Sequence, residues 1–583
     1  MAVFPQFGPD PDTTLLQQCQ FIIHRITVLL DELQQLKSAI ERRPASGHKP
    51  LSWNQAVPGL GLFERLIVSE RKHLEKMAQS YNPDAEEQAD LEALDSKMRL
   101  RLDASNYKFY ETVWEVTKRC SDLTGMRREL SYKTTQGKAV NAVIDLVVNG
   151  GETWIKVVTT TERRLFYEMA DAGWDWDEDF IDEGADDAML EILRDETEDS
   201  IEVAKFARHM VSAARTSYQD YRRPRVRILM SRIREGENAT VDHLLRLVRK
   251  MGTDEVELVV ETANNVPGGG GILTDPTPPL DEAIANLVHT DYFKDFTTTL
   301  NVDCSVFMAL SSDFSHMAIG PGSALLRSKQ HRIDATDEVE NGPRLANTLY
   351  PALAGRRLVC TREAADTFFK IVYGIGTDSE QARTRIIFDH QGGSDDDDGG
   401  DKKDKDDSGG GNASTPEATE ADRARRVDAL QKLSAHTVPA DLRLPIEIVG
   451  SVSWDDARRM VARGELPEVA LAAGRKGSGL NAMNVSSFLY GWRAGLTTVT
   501  SNWEAAKRLR TVIETNRVTG TEVGPHIWRV PFSRKLLARP KVSSSGRLKS
   551  RQERRVEKDE SLQSWVDSEQ TDGTRLEDLA AHE

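Results

Sequence analysis

Thr298-Thr299-Leu300-Asn301-Val302-Asp303-Cys304-Ser305-Val306-Phe307-Met308-Ala309-Leu310 decides how the second half of this chain is read. A short apolar run ends on Asp303, and a run with helical character follows at once. Strand, carboxylate, helix is the repeating unit of an open parallel sheet, in which side chains just past a strand's carboxyl end point into the ligand crevice. The order recurs downstream. Arg357-Leu358-Val359-Cys360-Thr361 reads as a strand leading into a helix that carries Asp366 and then Phe368, Phe369, Ile371 and Val372. The stretch from Asn484 to Asn502 reads as a helix, a glycine turn, a strand, and Thr500-Ser501-Asn502 entering another helix. The expected fold class is α/β, with a parallel-sheet domain over 297–540.

Upstream, the first 130 residues read as helices. Leu15, Ile22, Ile26, Leu29, Leu33, Leu36 and Ile40 keep helical spacing, and Leu62, Phe63, Leu66, Ile67, Leu74 and Met77 repeat it. A helical bundle, or a helical surface for a protein partner, fits that pattern. Residues 131–265 read as an α/β region. Ala139–Val148 and Thr153–Thr159 are β-branched runs joined by Asn149-Gly150-Gly151, a hairpin signal. A long helix is expected from Asp187 to Tyr218, then strands at Val226–Met230 and Val256–Val260 around a helix at Val241–Met251. Residues 266–296, rich in glycine and proline, read as a linker. Residues 391–421, Gly/Ser/Asp-rich and without large apolar side chains, read as a disordered acidic insertion, and 541–583 as a charged disordered tail.

The net charge of -17 says little about the folded surfaces. Asp171 to Asp199 holds 14 acidic residues against one basic, and Ser394 to Asp407 holds 8 Asp against 3 Lys, so these two runs account for the whole excess. A near-neutral remainder leaves RNA binding open. No run approaches the ~20 consecutive apolar residues of a spanning helix, and the first residues lack a signal-peptide pattern. Four dispersed cysteines, Cys19, Cys120, Cys304 and Cys360, match neither a disulfide framework nor a zinc pattern. A reducing compartment, cytoplasm or nucleus, is the expected setting. P-loop, HExxH, CxxC and GxSxG motifs do not occur.

Asp145 near the end of one hairpin strand, with Trp154-Ile155-Lys156 on the next, resembles the Asp…Glu-x-Lys layout of restriction-type nucleases, in which the acids hold Mg²⁺. Here Trp154 stands at the Glu position, and Glu152 lies two residues early on the same strand face. A hairpin packing Trp154 on a core, with a structural role for the degenerate motif, is the expectation.

The order of Asp303, Asp366, Asn484 and Asn502 resembles a PIN domain, a metal-dependent ribonuclease fold with an acidic residue at each of these places. The whole chain looks like the eukaryotic family known as domain of unknown function 1308, whose members carry a C-terminal PIN-like domain. The resemblance implies Mg²⁺ or Mn²⁺ held by Asp303 and Asp366, with Asn484 and Asn502 as degenerate positions. Two neutral amides in place of carboxylates imply a weak or inactive ribonuclease, or a scaffold binding RNA or a protein. Glu338, Glu340 and Glu380 are candidates to supply missing charge. The competing reading makes Asp303 a helix cap, Asp366 part of a solvated helix face, and both Asn residues caps of the helices they begin.

Overall fold

The computed structural model describes residues 13–42, 52–81, 88–134, 136–173, 183–195, 199–218, 221–264, 271–288, 293–326, 329–389 and 419–537. The acidic insertion, apart from its last three residues, and the charged tail lie outside these. The chain divides into two compact units, the division falling between residues 291 and 292 in sequence.

The first unit is built on one sheet with strands in sequence order: β1 (Gly125–Lys133), β2 (Ala139–Val148), β3 (Thr153–Val158), β4 (Arg225–Met230) and β5 (Leu258–Thr262). β1, β2 and β3 run antiparallel, while β3, β4 and β5 are parallel. The period of two along a strand assigns each side chain to a layer. Trp154 and Val158 of β3 enter one core with Val226, Ile228 and Met230, covered by helices Glu162–Asp171, Glu202–Arg215 and Ala239–Arg249. Ile155 and Val157 enter the other core with Leu229, covered by helices Leu15–Arg42, Leu60–Ser80 and Tyr107–Lys118.

Three expectations need correction. The helices before residue 130 do not form a region of their own, because their apolar stripe (Ile26, Leu33, Leu36, Phe63, Ile67) is buried against the same sheet that 131–265 supplies. The 266–296 stretch holds a helix, Leu280–Leu287, and Leu273, Leu287 and Val288 complete that core. The long helix expected from 187 to 218 is two helices, Glu183–Arg194 and Glu202–Arg215. β1 escaped the sequence reading, since Arg127 at φ 47 interrupts its alternation.

The second unit is a five-stranded sheet ordered β10-β9-β6-β7-β8, with every neighbour pair parallel. The strands are β6 (Thr299–Val302), β7 (Arg357–Thr361), β8 (Glu447–Val449), β9 (Thr497–Thr500) and β10 (Ile527–Arg529). The chain builds outward from β6 through β7 to β8, then returns to the other side of β6 for β9 and β10. The reversal makes the β6/β9 boundary the topological switch point, where open α/β sheets place their ligand crevice. Leu300 and Val302 pack into a core with Phe307, Phe368 and Phe388 on one face. On the opposite face the helix Ala482–Arg493 approaches closely through Gly491.

Beside that core lies a buried polar cluster. Arg383 Nη1 donates to Asp313 Oδ1 at 2.6 Å, and Glu380 accepts from the backbone of Asp313, Thr377 and Leu537. His316 is fully buried, its Nε2 2.7 Å from the Leu310 carbonyl, and desolvation lowers its pKa to about 3. A histidine held below its ordinary 6.5 takes up a proton when the chain unfolds. Its contribution is present above the unfolded pKa and is lost as pH falls from 6.5 toward 3. Stability should therefore drop on acidification by up to about 1.4 kcal/mol per pH unit from this group. His316→Gln should flatten the acid limb of a urea-denaturation profile between pH 4 and 6.5; an unchanged slope would assign that limb to other groups.

Candidate functional site

Strand register brings the sequence candidates to one end of the second sheet. Asn301 pairs with Val359 and Thr498, and the next residues facing the same way are Thr361, Asp303 and Thr500. These three stand side by side at the carboxyl ends of β7, β6 and β9. Asn301 Nδ2 donates to Thr498 Oγ1 at 3.0 Å and to the Ser487 carbonyl at 2.8 Å, which seats the Ala482–Arg493 helix over this face. That helix connects parallel strands and runs against them. Asn484, about one turn nearer its start than Ser487, therefore lies over the Thr361–Asp303–Thr500 row.

Asp303 is buried and already well bonded. Its carboxylate accepts from the Ser305 backbone at 2.9 Å, from Ser305 Oγ and from Thr500 Oγ1, both at 2.5 Å. It caps the Cys304–Ser311 helix. Burial raises its pKa, opposed by these hydrogen bonds. Cys304 beside it is pushed up to about 12 by desolvation, which leaves a neutral thiol.

The other candidates separate. Asp366 lies on the exposed face of the Arg362–Ile375 helix. Asn502 caps the Trp503–Thr515 helix by accepting from the Ala505 backbone at 3.1 Å. Asn484 is not the cap expected of it; Asn481 caps that helix by accepting from the Asn484 backbone. The Asn484 amide is buried, and its nitrogen has no hydrogen-bond partner among the described residues. None of the three substitute acids is available. Glu380 is consumed in the buried cluster, Glu338 binds Arg534, and Glu340 is exposed.

The sequence reading missed Glu363. It lies in the first turn after Thr361 and accepts from Ser486 Oγ at 3.0 Å, which puts it at the crevice end of the Ala482–Arg493 helix. The available signal was position: in a strand–helix unit the first turn faces the crevice, and Asp366 is one turn too late. Among the described residues, no group of three or more His, Cys, Asp or Glu side chains is placed to hold a metal ion.

In the first unit, Asp145 and Lys156 do meet. Asp145 Oδ2 is 3.2 Å from Lys156 Nζ and accepts from the Val157 backbone at 3.0 Å, while Oδ1 accepts from Arg127 Nη1 at 2.9 Å. Trp154 is buried in the core and Glu152 is exposed. The carboxylate thus ties β1, β2 and β3 together, with both its oxygens occupied.

Searches against protein-family models, curated proteins and solved structures found no match. No helix among the described residues is long and apolar enough to cross a membrane.

Proposed function

We propose that the second unit is a PIN-like domain that holds single-stranded RNA without cutting it. The observation that carries this reading is the company of Asp303: two hydroxyls and a backbone amide bind its carboxylate. Mg²⁺ and Mn²⁺ need several anionic oxygens. The residues present do not fit such an ion, since Asp366 faces outward and Asn502 is used as a cap. Binding is supported at the crevice rim. Trp503, directly after Asn502, is 45% exposed, and Arg529 sits 4.5 Å over its ring, at the β10 position paired with Thr500. An exposed aromatic ring with a guanidinium beside it suits a stacked base and its phosphate.

The test is fluorescence anisotropy with a labelled single-stranded RNA, with gels run in Mg²⁺ and in Mn²⁺. The RNA should bind and stay intact, and the Trp503→Ala, Arg529→Ala double variant should bind about tenfold more weakly. Mg²⁺-dependent cleavage by the wild type, abolished by Asp303→Asn, would overturn the inactive reading. Absence of RNA binding would remove the RNA assignment.

A further inference from the structure

A cleft of about 320 Å³ opens in the first unit where β1 and β3 begin and β2 ends, lined among others by Arg128, Leu130, Val147, Trp154, Ser217 and Tyr218. Its form follows from the backbone of β1. Arg127 stands at φ 47, with its guanidinium on buried Asp145, and this left-handed residue changes the face that β1 presents. Met126 before it enters the core under the first helices, whereas Leu130 and Tyr132 after it join the core of Trp154. Arg128 is thereby carried to the cleft. Among the described residues no carboxylate pairs with Arg128, and no acidic side chain lines the cleft. The strained residue and the free cation are neighbours in sequence, the kind of local strain that persists when surrounding structure holds it in place.

A second cleft in the same unit, of about 470 Å³, makes the contrast. It presents two cations, Lys118 and Arg119, but Lys118 is spent on Glu115 and Glu32, Arg119 donates to Thr277, and Asp275 and Glu282 share its wall. Nothing there selects an anion. In the smaller cleft Arg128 stands without such neutralisation beside two aromatic rings. Tyr218 is 38% exposed, and Arg223 lies 5.5 Å from its ring, so a second cation stands close by. Ser217, Leu130, Val147 and Pro224 complete the lining. A small, mostly apolar concavity with a few convergent polar groups is the usual form of a small-molecule site.

We infer that this cleft binds a nucleoside monophosphate, with the base against Tyr218 and the phosphate on Arg128. The base supplies the planar apolar surface that the aromatic and aliphatic walls require. The phosphate supplies the anion that the guanidinium lacks and can meet it through two parallel hydrogen bonds. The site lies wholly within the first unit and does not depend on the PIN-like reading of the second.

The experiment is isothermal titration of the full chain with AMP, GMP, CMP and UMP, and with inorganic phosphate and adenosine as halves of the ligand. At least one nucleotide should bind, and each half should bind at least about tenfold more weakly than the whole. Arg128→Ala and Tyr218→Ala should each weaken the nucleotide by at least about tenfold. Both side chains are partly solvent-exposed, so the melting temperature of each variant should stay within a few degrees of wild type, and loss of binding is then not loss of fold. Arg128→Lys should recover only part of the affinity, because a lysine cannot make the two-point contact. The inference falls if no nucleotide binds, if binding survives both alanine variants, or if phosphate alone binds as well as the nucleotide.

Discussion

Asp145→Ala should lower the stability of the first unit by about 3–5 kcal/mol, the loss expected when one partner of a buried ion pair is removed. Asp145 is completely buried and Lys156 is only 7% exposed, so the substitution strands the ammonium in the interior. It also leaves the Val157 amide without its acceptor and releases Arg127, whose left-handed backbone is held by the same carboxylate. Three strands lose their common tie at once. Hydrogen exchange resolved by peptide should show the loss in β1, β2 and β3, with the second unit unaffected. Asp145→Leu combined with Lys156→Met should cost much less than the two single substitutions together, because an apolar pair leaves no charge uncompensated. A single substitution costing under about 1 kcal/mol would mean that Asp145 is not the clasp and would reopen a functional role for it.

Gly491→Ala should destabilise the second unit by about 1–2 kcal/mol. A Cβ there would stand 2.1 Å from Thr498 Oγ1 and 2.9 Å from Asn301 Nδ2, well inside contact distance on both sides. Overpacking of this kind costs about 1–3 kcal/mol, and the added helix propensity of alanine returns only about 1. The clash is with the residues that seat the Ala482–Arg493 helix on β6 and β9, so relief by sliding the helix would carry Asn484 away from Asp303. RNA affinity should fall together with urea stability. Adding Thr498→Ala should restore part of both, since it removes the nearer atom of the clash. If the glycine substitution is neutral, the helix does not lie where the register places it, and the crevice as described is wrong.

Much of this architecture is legible in the chain. The strand–carboxylate–helix order at Asp303, its repetition at Cys360-Thr361, and the run from Asn484 to Asn502 were enough to expect a parallel sheet with its candidate residues at the strands' carboxyl ends. Local pattern carries that information because strand alternation and helical spacing are properties of consecutive residues. The competing reading of Asp303 and Asn502 as helix caps was legible for the same reason, since a cap bonds to backbone two or three residues away.

What lay beyond the sequence depends on residues far apart in the chain. That Asp303 has both carboxylate oxygens occupied follows from Thr500, brought beside it only because β9 returns across the switch point. That Glu363 rather than Asp366 reaches the crevice depends on where the helix from Arg362 meets Ser486. That Glu380 and Glu338 are unavailable depends on bonds to the backbone of Asp313 and Leu537 and on Arg534. That the first helices and residues 131–265 form one unit was likewise invisible. The first helices show an apolar stripe but not its partner, and only the pleat of β3, which sends Trp154 one way and Ile155 the other, makes the sheet that covers them. Periodicity states which side of an element must be buried; which surface buries it, and which charge is spent on which neighbour, is settled by contacts across long sequence separations, on which a local pattern is silent.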